Sequence, residues 1–214
     1  MLSLVVVTRR ALVVGALLWC LSVAAIAESP ARVLLVVGDS LSAAYNMDRE
    51  AGWVHLLTAR LREYLDEEWR VVNGSISGDT TRGGLSRLPA LLASAEPEVV
   101  IIALGGNDGL RGLQPSEIRG NLTAMIDLAR AAEAQVLIAG VRIPANYGPA
   151  YSRLFEATFP EVAELREVVL VPSILRGVDE RPELFQSDGI HPSEAAQPLI
   201  LETIWDSLRP LLSD

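Results

Sequence analysis

Lysine is absent from the 214-residue chain: all 18 basic residues are arginine, and against 27 acids they leave a formal charge of −9. A surface of that sign repels polyanions, which argues against nucleic acid as a partner and gains nothing from anionic lipid headgroups. Cysteine occurs once, at Cys20, and histidine twice, at His55 and His191. A single thiol makes no internal disulfide, and two imidazoles without cysteine ligands do not make up a tight transition-metal site. No metal or organic cofactor is therefore expected. Internal repeats, low-complexity tracts and linkers are missing beyond residue 30. What is abundant is apolar: half of the residues, enough for one sizeable core and no second domain.

The first 27 residues stand apart. They hold Arg9 and Arg10, no acid, the apolar stretch Ala11 to Ala25 and the small-residue pattern Ala25-Ile26-Ala27. That order reads as a secretory signal cleaved before Glu28, leaving 28–214 as the mature domain. The apolar stretch is 15 residues long, short of the ~20 that a spanning helix needs, so no membrane anchor is expected after cleavage. Thr8 to Val13 loosely resembles a twin-arginine signal, and either export route ends in the periplasm or outside the cell. Trp19 argues against lipid attachment at Cys20, where a small preceding residue is wanted. The mature chain then has no thiol, and 16 arginines against 27 acids leave it at −11.

Five apolar runs of strand length follow: RVLLVVG (32–38), WRVVNGS (69–75), EVVIIALG (98–105), QVLIAGVRI (135–143) and VVLVPS (168–173). They are rich in Val and Ile and mostly lack polar alternation, as strands buried on both faces of a parallel sheet do. Helical patterns lie between them. Over 53–67, Val54, Leu57, Leu61 and Leu65 recur at steps of three and four; after Pro115, Ile118, Leu122, Met125, Ile126 and Ala129 do the same. Further helices are predicted over about 150–166 and 193–208, and a shorter one over 83–93 despite Pro89. Strand and helix alternating five times predict a three-layer α/β/α domain around a five-stranded parallel sheet, with right-handed crossovers. Sites in such sheets lie beyond the carboxyl ends of the strands.

Four of those ends carry glycine and short polar residues: GDSLSAAY, NGSISGDTTRGG, GGNDGLRG and SDGIHPSEA. Ser40, in the first, has two compatible readings, a helix N-cap or a nucleophile at a helix start. A serine nucleophile needs an imidazole to take its proton and a third group to hold that imidazole. His55 falls inside an amphipathic helix, where histidine is usually a surface or packing residue. His191 lies three residues after Asp188, a spacing that lets one short loop bring carboxylate against ring. The alternative for that loop is a helix entry capped by Ser193, which leaves His191 idle. Gly78 and Asn107 are candidate donors to a developing oxyanion, through a backbone N–H and a side-chain amide, although each is also ordinary turn chemistry. A GxSxG elbow is missing, which sets the α/β-hydrolase fold aside.

GDSLS, SGDT followed by GGL, GGNDG and SDGIHP, in that order, resemble the four blocks of the SGNH (GDSL-type) hydrolases. The longer stretches SGDTTRGGLSRLPALL, VRIPANYGPAY and DGIHPSEAAQP are similar to the bacterial periplasmic acyl-CoA thioesterase, lysophospholipase and arylesterase group within that family. The departures are small: Ala43-Ala44 where that group often has Ala-Gly, and Ser193 in place of Asn. The resemblance implies a flavodoxin-like sheet and a triad of Ser40, His191 and Asp188. It implies an oxyanion hole from Ser40, Gly78 and Asn107, and a fatty-acyl ester or thioester as the small-molecule substrate; independently of the resemblance, the protein is expected to be a monomer. Around that substrate, Ile143 and Pro144 match a pair that lines the acyl groove in the group, and Leu110 and Arg111 sit on a loop placed to close over the chain. The rival readings are a carbohydrate acetylesterase on the same scaffold and a lipid-binding module without turnover.

Overall fold

The computed structural model describes residues 31–65 and 68–213, and the expected signal segment lies outside the described residues. Five strands form one sheet: β1 (Arg32–Gly38), β2 (Trp69–Asn73), β3 (Val99–Ala103), β4 (Gln135–Ala139) and β5 (Val169–Val171). All pairs are parallel, in the order β2-β1-β3-β4-β5. That is the flavodoxin-like order, with its topological switch between β1 and β3.

The helices are α1 (Trp53–Tyr64), α2 (Thr81–Ala95), α3 (Gly106–Leu110), α4 (Pro115–Ala131), α5 (Pro149–Arg166) and α6 (Gln197–Leu208). α1 packs with α6, whereas α2, α4 and α5 pack side by side. Between the two groups every residue of β3 is buried and Leu34 to Val37 of β1 are inaccessible, which is why these strands read as unbroken apolar runs. Leu57 and Leu61 from α1 and Ile118, Leu122, Met125 and Ile126 from α4 supply the helix stripes of the core.

Several boundaries differ from expectation. α1 stops at Tyr64, and α2 begins earlier than predicted because Thr80 caps it, its side chain accepting from Gly83 N. α6 starts at Gln197 after a 3-10 turn over Glu194–Ala196, and the Ser193 side chain makes no capping bond. The GGNDG segment, read as a loop, holds the one-and-a-half turns of α3. Strand β1 ends in Gly38 for a steric reason: a Cβ there would lie 2.7 Å from Ser42 Oγ and 2.9 Å from Ser75 Oγ. The missing side chain lets the two following loops close over the strand end.

Candidate active site

Ser40 does not begin a helix. Residues 40–46 are a succession of turns, and Asp39 closes the first of them. Its carbonyl accepts from the N–H groups of Ser42 and Ala43, and its Oδ1 accepts from Leu41 N at 3.0 Å. The loop is then tied down from outside: Trp53 Nε1 donates to Leu41 O (3.1 Å) and Asn73 Nδ2 to Ser42 O (2.8 Å). Local polar groups thus hold Ser40 in place without a helix dipole behind it.

His191 arrives on a hairpin. Phe185 and Pro192 form an antiparallel bridge, Gln186 N donates to His191 O, and Ser193 N donates to Leu184 O. At its tip, Asp188 Oδ1 accepts from the N–H groups of Ile190 (2.9 Å) and His191 (3.0 Å). Its other oxygen meets His191 Nδ1 at 2.7 Å, and His191 Nε2 lies 3.0 Å from Ser40 Oγ. The His191 backbone N–H, then its ring, then the Ile190 N–H hold the Asp188 carboxyl down at about 2. An ionised carboxylate only accepts, so Nδ1 carries the hydrogen and Nε2 is left to accept from the serine hydroxyl. Tyr45 covers the imidazole, with ring centroids 4.3 Å apart and planes tilted by 35°.

Asn107 stands in α3 with its Nδ2 donating to Asp39 Oδ2 at 3.2 Å. Burial lifts the Asp39 carboxyl to about 6 against the opposing pull of the Leu41 N–H, the Asn107 amide and His191. The short helix is anchored by its next residue: buried Asp108 accepts from Thr81 N (2.9 Å) and Thr81 Oγ1 (2.5 Å), and Asn121 Nδ2 donates to that hydroxyl. Gly78 lies at φ +80° in the turn closed by Asp79 N on Ile76 O. Arg111 Nη2 donates to Gly78 O at 3.0 Å, so its guanidinium lies on the neighbouring loop, and neither residue lines the cavity that opens beside Ser40. Arg87 reaches Asp79, Gly74 O and Gly38 O, joining the Gly78 loop to the end of β1.

A cavity of about 660 Å³ opens beside Ser40, Asn107 and His191. Leu110, Val141, Ile143, Pro144, Leu175 and Phe185 give it apolar walls. Arg142, on its rim, stands 3.6 Å from Asp179 and 3.8 Å from Glu156. His55 is exposed on α1 and faces a separate groove. Among the described residues no group of His, Cys, Asp and Glu is arranged to hold a metal ion, and no helix is long and apolar enough to cross a membrane.

The sequence reading did not single out Asp39, Tyr45, Arg87 or Gln186. Asp39 had a signal, a carboxylate at the end of a strand that is apolar after Arg32; Tyr45 and Gln186 meet partners far along the chain, Arg87 reaches back 8, 13 and 49 positions, and these three carry none.

Residues 36–198 match the GDSL-like lipase/acylhydrolase family. The chain is 51% identical over 185 residues to esterase TesA of Pseudomonas aeruginosa, covering 86% of this chain and 92% of that protein. It is 43% identical over 187 residues to thioesterase 1/protease 1/lysophospholipase L1 of Escherichia coli, covering 86% of each. Among solved structures it resembles the psychrotrophic esterase EstA from Pseudoalteromonas sp., inhibited by monoethylphosphonate. That likeness has a TM-score of 0.80 at 39% identity, over 86% of this chain and all of the other.

Proposed function

The chain belongs to the GDSL-like lipase/acylhydrolase family, and from that premise we propose that it is a serine esterase hydrolysing fatty-acyl esters and thioesters, with Ser40 as nucleophile. One observation carries the reading: Ser40 Oγ, the His191 ring and the Asp188 carboxylate are in line at 3.0 and 2.7 Å. In the first half-reaction Ser40 Oγ attacks the carbonyl carbon while its proton passes to His191 Nε2. Asp188 steadies the imidazolium without taking the proton. The oxyanion is held by the Ser40 and Gly78 backbone N–H groups and by the Asn107 amide. Collapse expels the alcohol or thiol, protonated by His191, and leaves an acyl-Ser40 ester. Water, deprotonated by the same ring, then releases the carboxylic acid.

The apolar cavity beside Ser40 supports an acyl chain as the group held, with Ile143, Pro144 and Leu110 against it. Each methylene buried there is worth ~0.8 kcal/mol, so preference among chain lengths is graded. Arg111 contributes from outside the cavity, by bonding the Gly78 carbonyl and steadying the loop that carries the Gly78 N–H donor. The protein works as a monomer, exported to the periplasm or beyond after loss of residues 1–27; N-terminal sequencing of the exported chain should start at Glu28.

Fluorophosphonate treatment tests the chemistry. The expected result is one adduct on Ser40 and loss of p-nitrophenyl ester hydrolysis in step with labelling. A folded protein that takes no label would be a binder and not a hydrolase. Turnover of acetyl esters far above octanoyl esters would favour the carbohydrate acetylesterase instead.

A further inference from the structure

Ser40 and His191 lie on loops from opposite ends of the chain, and beside the ring contact of Tyr45 on His191 a side chain outside the triad ties the two loops by hydrogen bonds. Gln186, in the hairpin that carries His191, donates from Nε2 to Tyr45 O (3.0 Å) in the Ser40 loop and to Pro192 O (3.1 Å) in its own hairpin. Its Oε1 accepts from Asn46 Nδ2 at 3.1 Å. Its backbone N–H meanwhile donates to His191 O and its carbonyl accepts from Gly189 N, so the residue is part of the hairpin's own frame. Both loops are held elsewhere by their own contacts: the Ser40 loop by Trp53 and Asn73, the hairpin by the Phe185–Pro192 bridge. Those contacts make each loop rigid but do not set one against the other.

We propose that Gln186 is a positioning residue for hydrolysis: its amide fixes the separation of the Ser40 loop and the His191 hairpin, and with it the reach from Ser40 Oγ to His191 Nε2. The inference rests on the serine-esterase reading above. The three partners explain why an amide is needed. Two carbonyls converge on one end and a donor on the other, so the end facing Tyr45 O and Pro192 O must donate and the end facing Asn46 Nδ2 must accept. Glutamate would turn a carboxylate on two carbonyl oxygens, and methionine would fill the space with no polar link. The anchor at Tyr45 also fixes the backbone of the residue whose ring covers the imidazole. Loss of the clamp therefore frees both the serine and the ring plane, and a displacement of about 1 Å in such an arrangement costs on the order of a hundredfold in rate.

The test compares the parent with Gln186→Met and Asn46→Gly; glycine suits the left-handed backbone at Asn46 (φ +54°). Active sites are counted by fluorophosphonate titration, and kcat per titrated site and KM are measured on p-nitrophenyl butyrate. Gln186→Met is expected to lose about ten- to one-hundredfold in kcat per site, with KM within twofold of the parent and phosphonylation slowed by a similar factor. Asn46→Gly removes one of the three links and should lose less. Counting sites separates this outcome from a merely structural one, which lowers the titrated fraction but not turnover per site. Turnover per site within twofold of the parent in Gln186→Met would overturn the proposal, as would a matching rise in KM. Should Gln186→Met not fold, unchanged turnover per site in Asn46→Gly would do so. A parent that takes no label defeats the esterase reading instead, so the two failures are distinct.

Discussion

Asn107 donates from Nδ2 to Oδ2 of Asp39 over 3.2 Å, so the amide beside the cavity is oriented by a carboxylate that is itself only 3% exposed. Burial raises that carboxyl from 3.8 to about 6, and the sign of the consequence follows. Between those values the folded protein keeps a proton that the unfolded chain has released. The contribution of Asp39 to stability is therefore full below 3.8 and lost as pH rises through about 6. Asp39→Asn does not titrate, so its stability relative to the parent should improve from pH 4 to pH 7 by up to about 3 kcal/mol. Urea unfolding at pH 4, 5.5 and 7 measures the gap; a gap constant across that range would contradict the buried charge.

Removal of the amide itself has a different readout. Asn107→Ala should lower kcat by about 10²- to 10³-fold with little change in KM, because the lost donor acts on charge that develops after binding. A change confined to KM would place Asn107 in ground-state binding.

Asp188→Asn keeps the size of the side chain but can turn an N–H toward the ring, favouring the wrong tautomer. A loss of about 10⁴-fold in kcat is expected, with an unchanged circular dichroism spectrum. Because the Asp188 carboxyl is held at about 2, its contribution to stability is present above 3.8 and lost as pH falls through about 2. Comparing acid unfolding of the variant with that of the parent checks this window.

The cavity wall can be moved from behind. A Cβ at Gly109 would stand 2.6 Å from Ile143 Cγ2, in the wall, and 2.7 Å from Phe155 Cε2, which is outside the cavity lining. Gly109→Ala should cost about 1–3 kcal/mol by overpacking and push Ile143 into the acyl space. The ratio of octanoyl to butyryl ester hydrolysis should then fall. An unchanged ratio would mean that Ile143 does not bound the chain.

The central strands were legible because they are buried on both faces: runs such as RVLLVVG admit few other placements, and β1 spans the predicted residues. The motif blocks were legible because each is a short contiguous stretch at the carboxyl end of a strand or just beyond it. Helix ends were read less well where a serine looked like a cap: Ser40 lies in a succession of turns bonded to Asp39, with no helix to cap, and the Ser193 side chain caps nothing. The helical turn at GGNDG was hidden by glycines, and is stabilised by Asp108 on Thr81, 27 positions away. Gln186 left no trace in the string of letters, since its partners Tyr45 and Asn46 are 141 and 140 positions distant.

The imidazole comes from the segment that follows the last strand, 151 positions after the hydroxyl it serves. On the proposed mechanism, the serine emerges early in synthesis and its base near the end. A ribosome stalled anywhere before residue 191 thus holds a polypeptide with no competent centre, and any route that keeps the chain extended until translation is finished delivers it chemically silent. Reactivity begins only when the tail docks.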